Sequence, residues 1–175
     1  HIIIATGARS RELPAIPQNG KNIIGYRKAM TLEKQPKKLV VIGSGAIGIE
    51  FAYFYNAMGT EVVIVEYLDR ILPVEDEEVS KQLERSFKKS GIKIHTNAEV
   101  KKVETKNKSV DVTIKTKSNE EIINADIVLS AVGIKTNIEN IGLEDVGIAI
   151  DNDKIMVNNF YPVSYTHLRA HETHE

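Results

Sequence analysis

Gly43, Gly45 and Gly48 stand in the stretch VVIGSGAIGIE (Val40–Glu50), where a short apolar run gives way to a helical pattern. Glycines at this spacing can bring a backbone against an anion. Gly43 permits a tight turn, Gly45 lets the main chain approach a pyrophosphate with no Cβ in the way, and Gly48 lets a helix pack closely on the preceding strand. The amides of the first helical turn, which lack partners inside the helix, then meet the anion. Glycines alone also suit a turn that serves packing only. What separates the two readings is Glu66, which closes a second apolar run 23 positions after Gly43, where a dinucleotide fingerprint has its acid.

A carboxylate at that place can accept hydrogen bonds from both hydroxyls of an adenosine ribose, and it faces a like charge if a 2′-phosphate is present. Two unit charges about 4 Å apart cost on the order of 1 to 4 kcal/mol, depending on screening. That disfavours NADP by roughly ten- to a thousandfold. Tyr67, Leu68 and Asp69 add no positive charge, although Arg70 could in principle receive a phosphate. The expected cofactor is NAD. Glu50 is a second acid of interest, one turn into an otherwise apolar helix, where burial is costly without a partner. A solvated helix position is the alternative.

These residues need a scaffold of alternating strands and helices. HIIIATG opens the chain as an apolar run of the kind found inside a sheet, and ARSRELPAIPQNG, with two prolines and Asn-Gly, reads as a surface loop crossing between domains. A short helical piece follows around YRKAMTLEK, and LVVIG is a buried parallel strand. From Gly45 to Gly59 a helix is expected, with Ile47, Phe51, Phe54, Tyr55 and Met58 recurring along it at three-to-four spacing. EVVIVE (Glu61–Glu66) is a second buried strand, DEEVSKQLERSFKKSG an amphipathic helix charged to suit its dipole, and IKIH a third strand. The segment NAEVKKVETKNKSVDVTIKTKSNEEI alternates apolar and polar residues around polar turns, as an antiparallel meander does, and DIVLSAVG resumes the parallel sheet. The expected fold is α/β, a Rossmann-type doubly wound NAD-binding domain with a three-stranded antiparallel β-meander inserted.

Charge and composition exclude several functions. Lysine and arginine number 23 against 24 acidic residues, so no charge excess points to nucleic acid or a membrane surface. No run of about 18 apolar residues exists to span a bilayer as a helix. The chain has no cysteine, hence no disulfide framework and no thiol chemistry of its own. VSYTHLRAHET (Val163–Thr173) resembles a translated sequencing adaptor, so 163–175 is expected to be a non-native tail. It carries His167, His171 and His174; a histidine pair four apart suits a metal, but no further ligand is placed to complete a site, and no metal is assigned.

Several pieces in order resemble the pyridine nucleotide-disulfide oxidoreductases: IIIATGA followed by ELPAIP, VVIGSGAIGIEFA, VEYLDRILPVEDEEVSK, the meander, and VLSAVGIKTN followed by GLEDVGI. The resemblance covers roughly residues 1 to 162. It implies the end of a FAD-binding domain and crossover over 1–30, an NAD-binding domain over 31–135, and a segment returning toward the FAD domain over 136–162. It implies NAD binding by Gly43, Ser44, Gly45, Ala46, Ile47, Gly48, Ile49, Glu50 and Glu66, with small Ala46 leaving access for the nicotinamide ring. Val100 would lie near the adenosine half and Gly133 near the nicotinamide half; by sequence alone these are an apolar core residue and a turn glycine. Thr6, Gly7 and Ala8 would approach the flavin of FAD, and Glu50 would face the nicotinamide carboxamide and a lysine beside the flavin. Ile134 and Thr136 depart from the arginine and proline more usual there.

The activity implied passes electrons from dihydrolipoamide to a cysteine pair, then to FAD, then as hydride to NAD. The cysteine pair, the flavin pyrophosphate loop and a His-Glu pair are expected outside these residues, so no catalytic residue is assigned and the chain alone is expected to be inactive. The resemblance further implies a cytoplasmic homodimer, formed mainly through a carboxy-terminal domain, and a place in 2-oxo acid dehydrogenase complexes. Two alternatives share the domain. One is an NADH oxidase, a coenzyme A disulfide reductase or another FAD- and NAD-linked reductase; the other is a non-catalytic NAD-sensing module.

Overall fold

The computed structural model describes residues 3–14 and 16–157. The elements in chain order are β1 (Ala8–Ser10), β2 (Ile23–Ile24), α1 (Tyr26–Ala29), β3 (Lys38–Ile42), α2 (Ala46–Ala57), β4 (Glu61–Val65), α3 (Glu77–Lys89), β5 (Lys93–His95), β6 (Glu99–Thr105), β7 (Val110–Lys115), β8 (Glu120–Ala125), β9 (Ile127–Ser130), β10 (Ile134–Thr136), β11 (Ile150–Asp151) and β12 (Lys154–Ile155). They fall into two compact units, Ser10–Gly133 and a smaller one of His1–Arg9 with Ile134–Glu175.

The larger unit is built on a five-stranded sheet of order β2-β9-β3-β4-β5 in which every pair is parallel. Side chains alternate faces along a strand, so the unbroken apolar runs of β3 and β4 feed two cores. Leu39, Val41, Val62 and Ile64 meet Ile49, Ala52 and Tyr55 of α2, Phe87 of α3 and Ala29 of α1. Val40, Ile42, Val63 and Val65 meet Val110, Val112, Ile114, Ile123 and Ala125 of the antiparallel sheet β6-β7-β8. The α/β fold with its three-stranded meander is as expected, and the meander covers the face opposite the helices.

Helix α2 lies on the sheet through Gly48, Ile49, Ala52 and Tyr55, while Phe54 and Met58 of the expected apolar stripe are exposed. The small residues Gly48 and Ala52 let the helix approach the strands, and that contact sets its rotation. The Tyr55 hydroxyl, buried, donates to the Ala29 carbonyl at 2.5 Å and ties α2 to α1. At the start of α3, Asp76 accepts from the Glu78 and Val79 amides at 2.8 and 3.4 Å. Glu77 and Lys81 pair one turn apart along it, as do Glu84 and Lys88. The expected surface loop before β2 is not wholly at the surface, since Ile16 is buried in the meander-side core.

The smaller unit differs from expectation at its start. No strand forms over residues 3–7, and Ile3 is 88% exposed, because this apolar run has no ladder partner among the described residues. Pairing begins at β1, which joins β10 in a two-stranded sheet. Arg9 donates to Glu139 at 2.5 Å and to the Asn137 side-chain oxygen at 2.7 Å, and Lys135 adds a second ion pair to Glu139 at 3.0 Å. A hairpin of β11 and β12 turns through Asn152 and Asp153, both with positive φ. The adaptor-like tail and its histidines lie outside the described residues. Among the described residues, no helix is long and apolar enough to cross a membrane, and no group of three or more His, Asp or Glu is placed to hold a metal.

Candidate functional site

The glycine loop joins the carboxyl end of β3 to the amino end of α2, and its three glycines meet three different surroundings. Gly43 has φ of 93°, a region L side chains rarely adopt, and a Cβ there would stand 2.6 Å from the Ala131 carbonyl oxygen. Its amide donates to the Val65 carbonyl at 2.9 Å, which ties the loop to the end of β4. A Cβ at Gly48 would stand 2.1 Å from the Gly43 carbonyl oxygen, so glycine is required for the helix to start so close to its own loop. A Cβ at Gly45 would meet nothing within 4 Å. Packing does not explain that glycine, and the open space beside it leaves the backbone accessible to a ligand.

Helix α2 begins at Gly45 with no side-chain cap and no acid in its first turn, in contrast to α3 with Asp76. An α-helix leaves its first four amides without intrahelical partners and carries about half a positive charge at that end. Ala46 is exposed and Ile47 half-buried at this opening, while Gly48 and Ile49 turn into the protein. The opening fits a phosphate-bearing ligand.

Beside it lies the Glu66 carboxylate, only 7% exposed. Its Oε2 accepts the Ser44 amide at 2.8 Å and the Ser44 hydroxyl at 2.5 Å, and its Oε1 accepts the Leu68 amide at 2.8 Å. The Ser44 carbonyl in turn accepts the Leu72 amide at 3.0 Å, which fastens the segment after β4 to the glycine loop. The acid expected to face a ribose is therefore already held by three donors, two of them from Ser44. A buried carboxylate needs such donors. Sequence reasoning placed Ser44 in the loop without finding this link; the signal was a hydroxyl residue between the first two motif glycines with the acid at the neighbouring strand's end. Arg70 donates to the Pro73 carbonyl at 3.1 Å, within its own turn.

The remaining expected residues are more dispersed. Glu50 is exposed on α2 and borders a groove of about 480 Å³ with Met30, Gln35, Phe54 and Met58, so the cost of burying it does not arise. Val100 is half-buried on β6, opposite Ile114, and packs against the meander-side core. Gly133 is exposed just after β9, with φ of 109°, and its carbonyl accepts the Arg11 amide at 2.9 Å. Thr6, Gly7 and Ala8 belong to the smaller unit, where the carbonyls of Thr6 and Gly7 accept from the Asn137 side-chain and backbone nitrogens at 3.1 and 2.9 Å. The loop, Ser44 and Glu66 thus form the one closely bonded group among the expected residues. It offers amides and one carboxylate, a set that binds and orients.

A family model described as pyridine nucleotide-disulphide oxidoreductase matches residues 1–170. Among curated relatives, a dihydrolipoyl dehydrogenase of Rhizobium etli is 45% identical over 161 residues, covering 91% of this chain and 34% of its own length. A dihydrolipoyl dehydrogenase of Zymomonas mobilis is 45% identical over 172 residues, covering 97% and 36%. Among solved structures, LpdA from Mycobacterium tuberculosis superposes with a TM-score of 0.75 at 32% identity, over 85% of this chain and 32% of that one. The HOCl-induced flavoprotein disulfide reductase RclA from Escherichia coli gives a TM-score of 0.75 at 25% identity, over 88% and 35%. The chain spans about a third of the length of these relatives.

Proposed function

The chain belongs to the pyridine nucleotide-disulphide oxidoreductase family, and from that premise we propose that it is the NAD-binding part of a flavoprotein disulfide oxidoreductase, a dihydrolipoyl dehydrogenase. The family uses FAD and NAD. The observation that carries the reading is the combination at one loop of an uncapped helix start, a glycine whose Cβ position is open, and a buried carboxylate at the end of the next strand. These residues fit a dinucleotide: the amides at the start of α2 would hold its pyrophosphate, and Glu66 would accept from the adenosine ribose. When bound, the two cofactors supply the passage of electrons from a dihydrolipoyl group, through a cysteine pair, to NAD as hydride.

The chain's own part in this is to bind, orient and select. Gly45 and Ala46 would leave room for the pyrophosphate and the nicotinamide, Gly133 would border the nicotinamide half, and Val100 the adenosine half. Thr6, Gly7 and Ala8 would belong with the flavin, in a remnant of the FAD domain. With no cysteine in its sequence, the chain by itself has no sulfur for disulfide exchange and should turn over no lipoyl substrate above a no-protein control. The structural likeness to RclA favours a second reading, in which the parent protein is a flavoprotein disulfide reductase with another substrate. The 45% identity to dihydrolipoyl dehydrogenases, against 25% to RclA, supports the first reading over the second. The test is a fluorescence titration of the chain with NADH and, in competition, NADPH. Saturable NADH binding with weaker NADPH binding supports the proposal; tighter NADPH binding overturns the role given to Glu66.

A further inference from the structure

We propose that Ser44 is a positioning residue that sets nucleotide selectivity by holding the Glu66 carboxylate in one orientation, an inference that rests on the NAD reading above. Ser44 is fully buried, so its side chain does not reach a ligand at the loop. Its amide and hydroxyl both donate to Glu66 Oε2, at 2.8 and 2.5 Å, while the Leu68 amide donates to Oε1 at 2.8 Å. An ionised carboxylate has about four acceptor positions. Three are filled from within the protein, and the one left, on Oε1, takes a single ribose hydroxyl rather than the pair.

The same bonds fix where the negative charge stands. To make room for a 2′-phosphate, the carboxylate would have to turn away from Ser44 and leave a buried amide and a buried hydroxyl without an acceptor, and unmade bonds of that kind are costly. The carboxylate therefore stays, and its charge faces the phosphate. Without the Ser44 hydroxyl it would hold a ribose hydroxyl less firmly and yield more readily to a phosphate. Both changes lower the preference for NADH.

The experiment measures NADH and NADPH dissociation constants for the chain, for Ser44→Ala, for Glu66→Gln and for the double variant. Ser44→Ala should lower the NADH-over-NADPH preference on the order of tenfold, the weight of one hydrogen bond to a charged group. In the Glu66→Gln background the same substitution should leave the ratio unchanged, since Ser44 acts through the charge. Ser44→Cys, close in size and a weak donor, should give an intermediate ratio and serves if the alanine variant does not fold. Equal weakening of both nucleotides by Ser44→Ala overturns the inference and leaves Ser44 as a loop-shaping residue, with the NAD reading intact. A fall in the ratio that persists in the Glu66→Gln background also overturns it. Failure of the unsubstituted chain to bind NADH removes the NAD reading and this inference with it.

Discussion

Alanine at Gly48 and alanine at Gly45 should do opposite things, although the two glycines stand three residues apart in one loop. At Gly48 the new methyl would lie 2.1 Å from the Gly43 carbonyl oxygen and 3.3 Å from Val41 Cγ1. Carbon-to-oxygen contacts ordinarily begin at about 3.3 Å, so the loop must move by roughly 1 Å, and the obstructing atom is backbone. Overpacking of this kind costs roughly 1 to 3 kcal/mol, and a backbone neighbour, which cannot swing aside as a side chain can, puts Gly48→Ala at about 3. The helix-propensity gain of alanine over glycine returns about 1 kcal/mol. The net of about 2 kcal/mol corresponds to a Tm lower by roughly 4 to 8 °C for a chain of this size. At Gly45 the methyl enters open space, and its backbone, φ −68° and ψ −178°, suits alanine. Loss of a favourable N-cap residue costs under about 1 kcal/mol, so Tm should move by less than about 4 °C while NADH binding weakens by about tenfold or more. Thermal unfolding followed by circular dichroism, with NADH titration of both variants, checks the pair. A Gly48→Ala protein that melts with the parent, or a Gly45→Ala protein that binds NADH as the parent does, would refute the division of labour among the glycines.

Three further outcomes follow from the geometry. Asp76→Ala removes the carboxylate that caps α3, and should cost about 1 kcal/mol in a denaturant titration. Tyr55→Phe leaves the Ala29 carbonyl without its buried donor and should cost about 1 to 2 kcal/mol by the same measurement. The Arg9 hydrogen bond, then that of Lys135, holds the Glu139 carboxyl down from 4.5 to about 2. Because the folded pKa is depressed, the stability this cluster contributes is present above about pH 4.5 and is lost as the pH falls toward 2. A side-chain NMR titration should find the Glu139 midpoint near 2, and a midpoint near 4.5 would show the cluster absent in solution.

Much of the larger unit was legible because its signals are local. LVVIG and EVVIVE are continuous apolar runs because each strand buries both faces, and the acids at the start of α3 and lysines at its end announce a helix at both termini. The rotation of α2 was not legible: a helix apolar on most sides has no single stripe to orient it, and the contact was decided by Gly48 and Ala52. Two-residue β2 and buried Ile16 gain their places from long-range partners, Val128 and Leu129 for the strand and the meander-side core for Ile16. The β11–β12 hairpin did leave a trace, since Asn152 and Asp153 are residue types that tolerate the positive φ its turn requires. In the site, the motif glycines and Glu66 could be read from spacing. The Ser44 to Glu66 bonds, 22 residues apart, needed the parallel register of β3 and β4 to bring them together.

The central claim is that the loop from Gly43 to Gly48 and the Glu66 carboxylate hold NAD. Its most direct test follows the backbone amide resonances of the isotope-labelled chain as NAD is added. The account predicts saturable shifts that are largest at Ser44, Gly45, Ala46, Ile47 and Gly48, with smaller ones at Leu68. Shifts confined to the groove beside Met30 and Phe54, or none at the loop at saturating NAD, would contradict it.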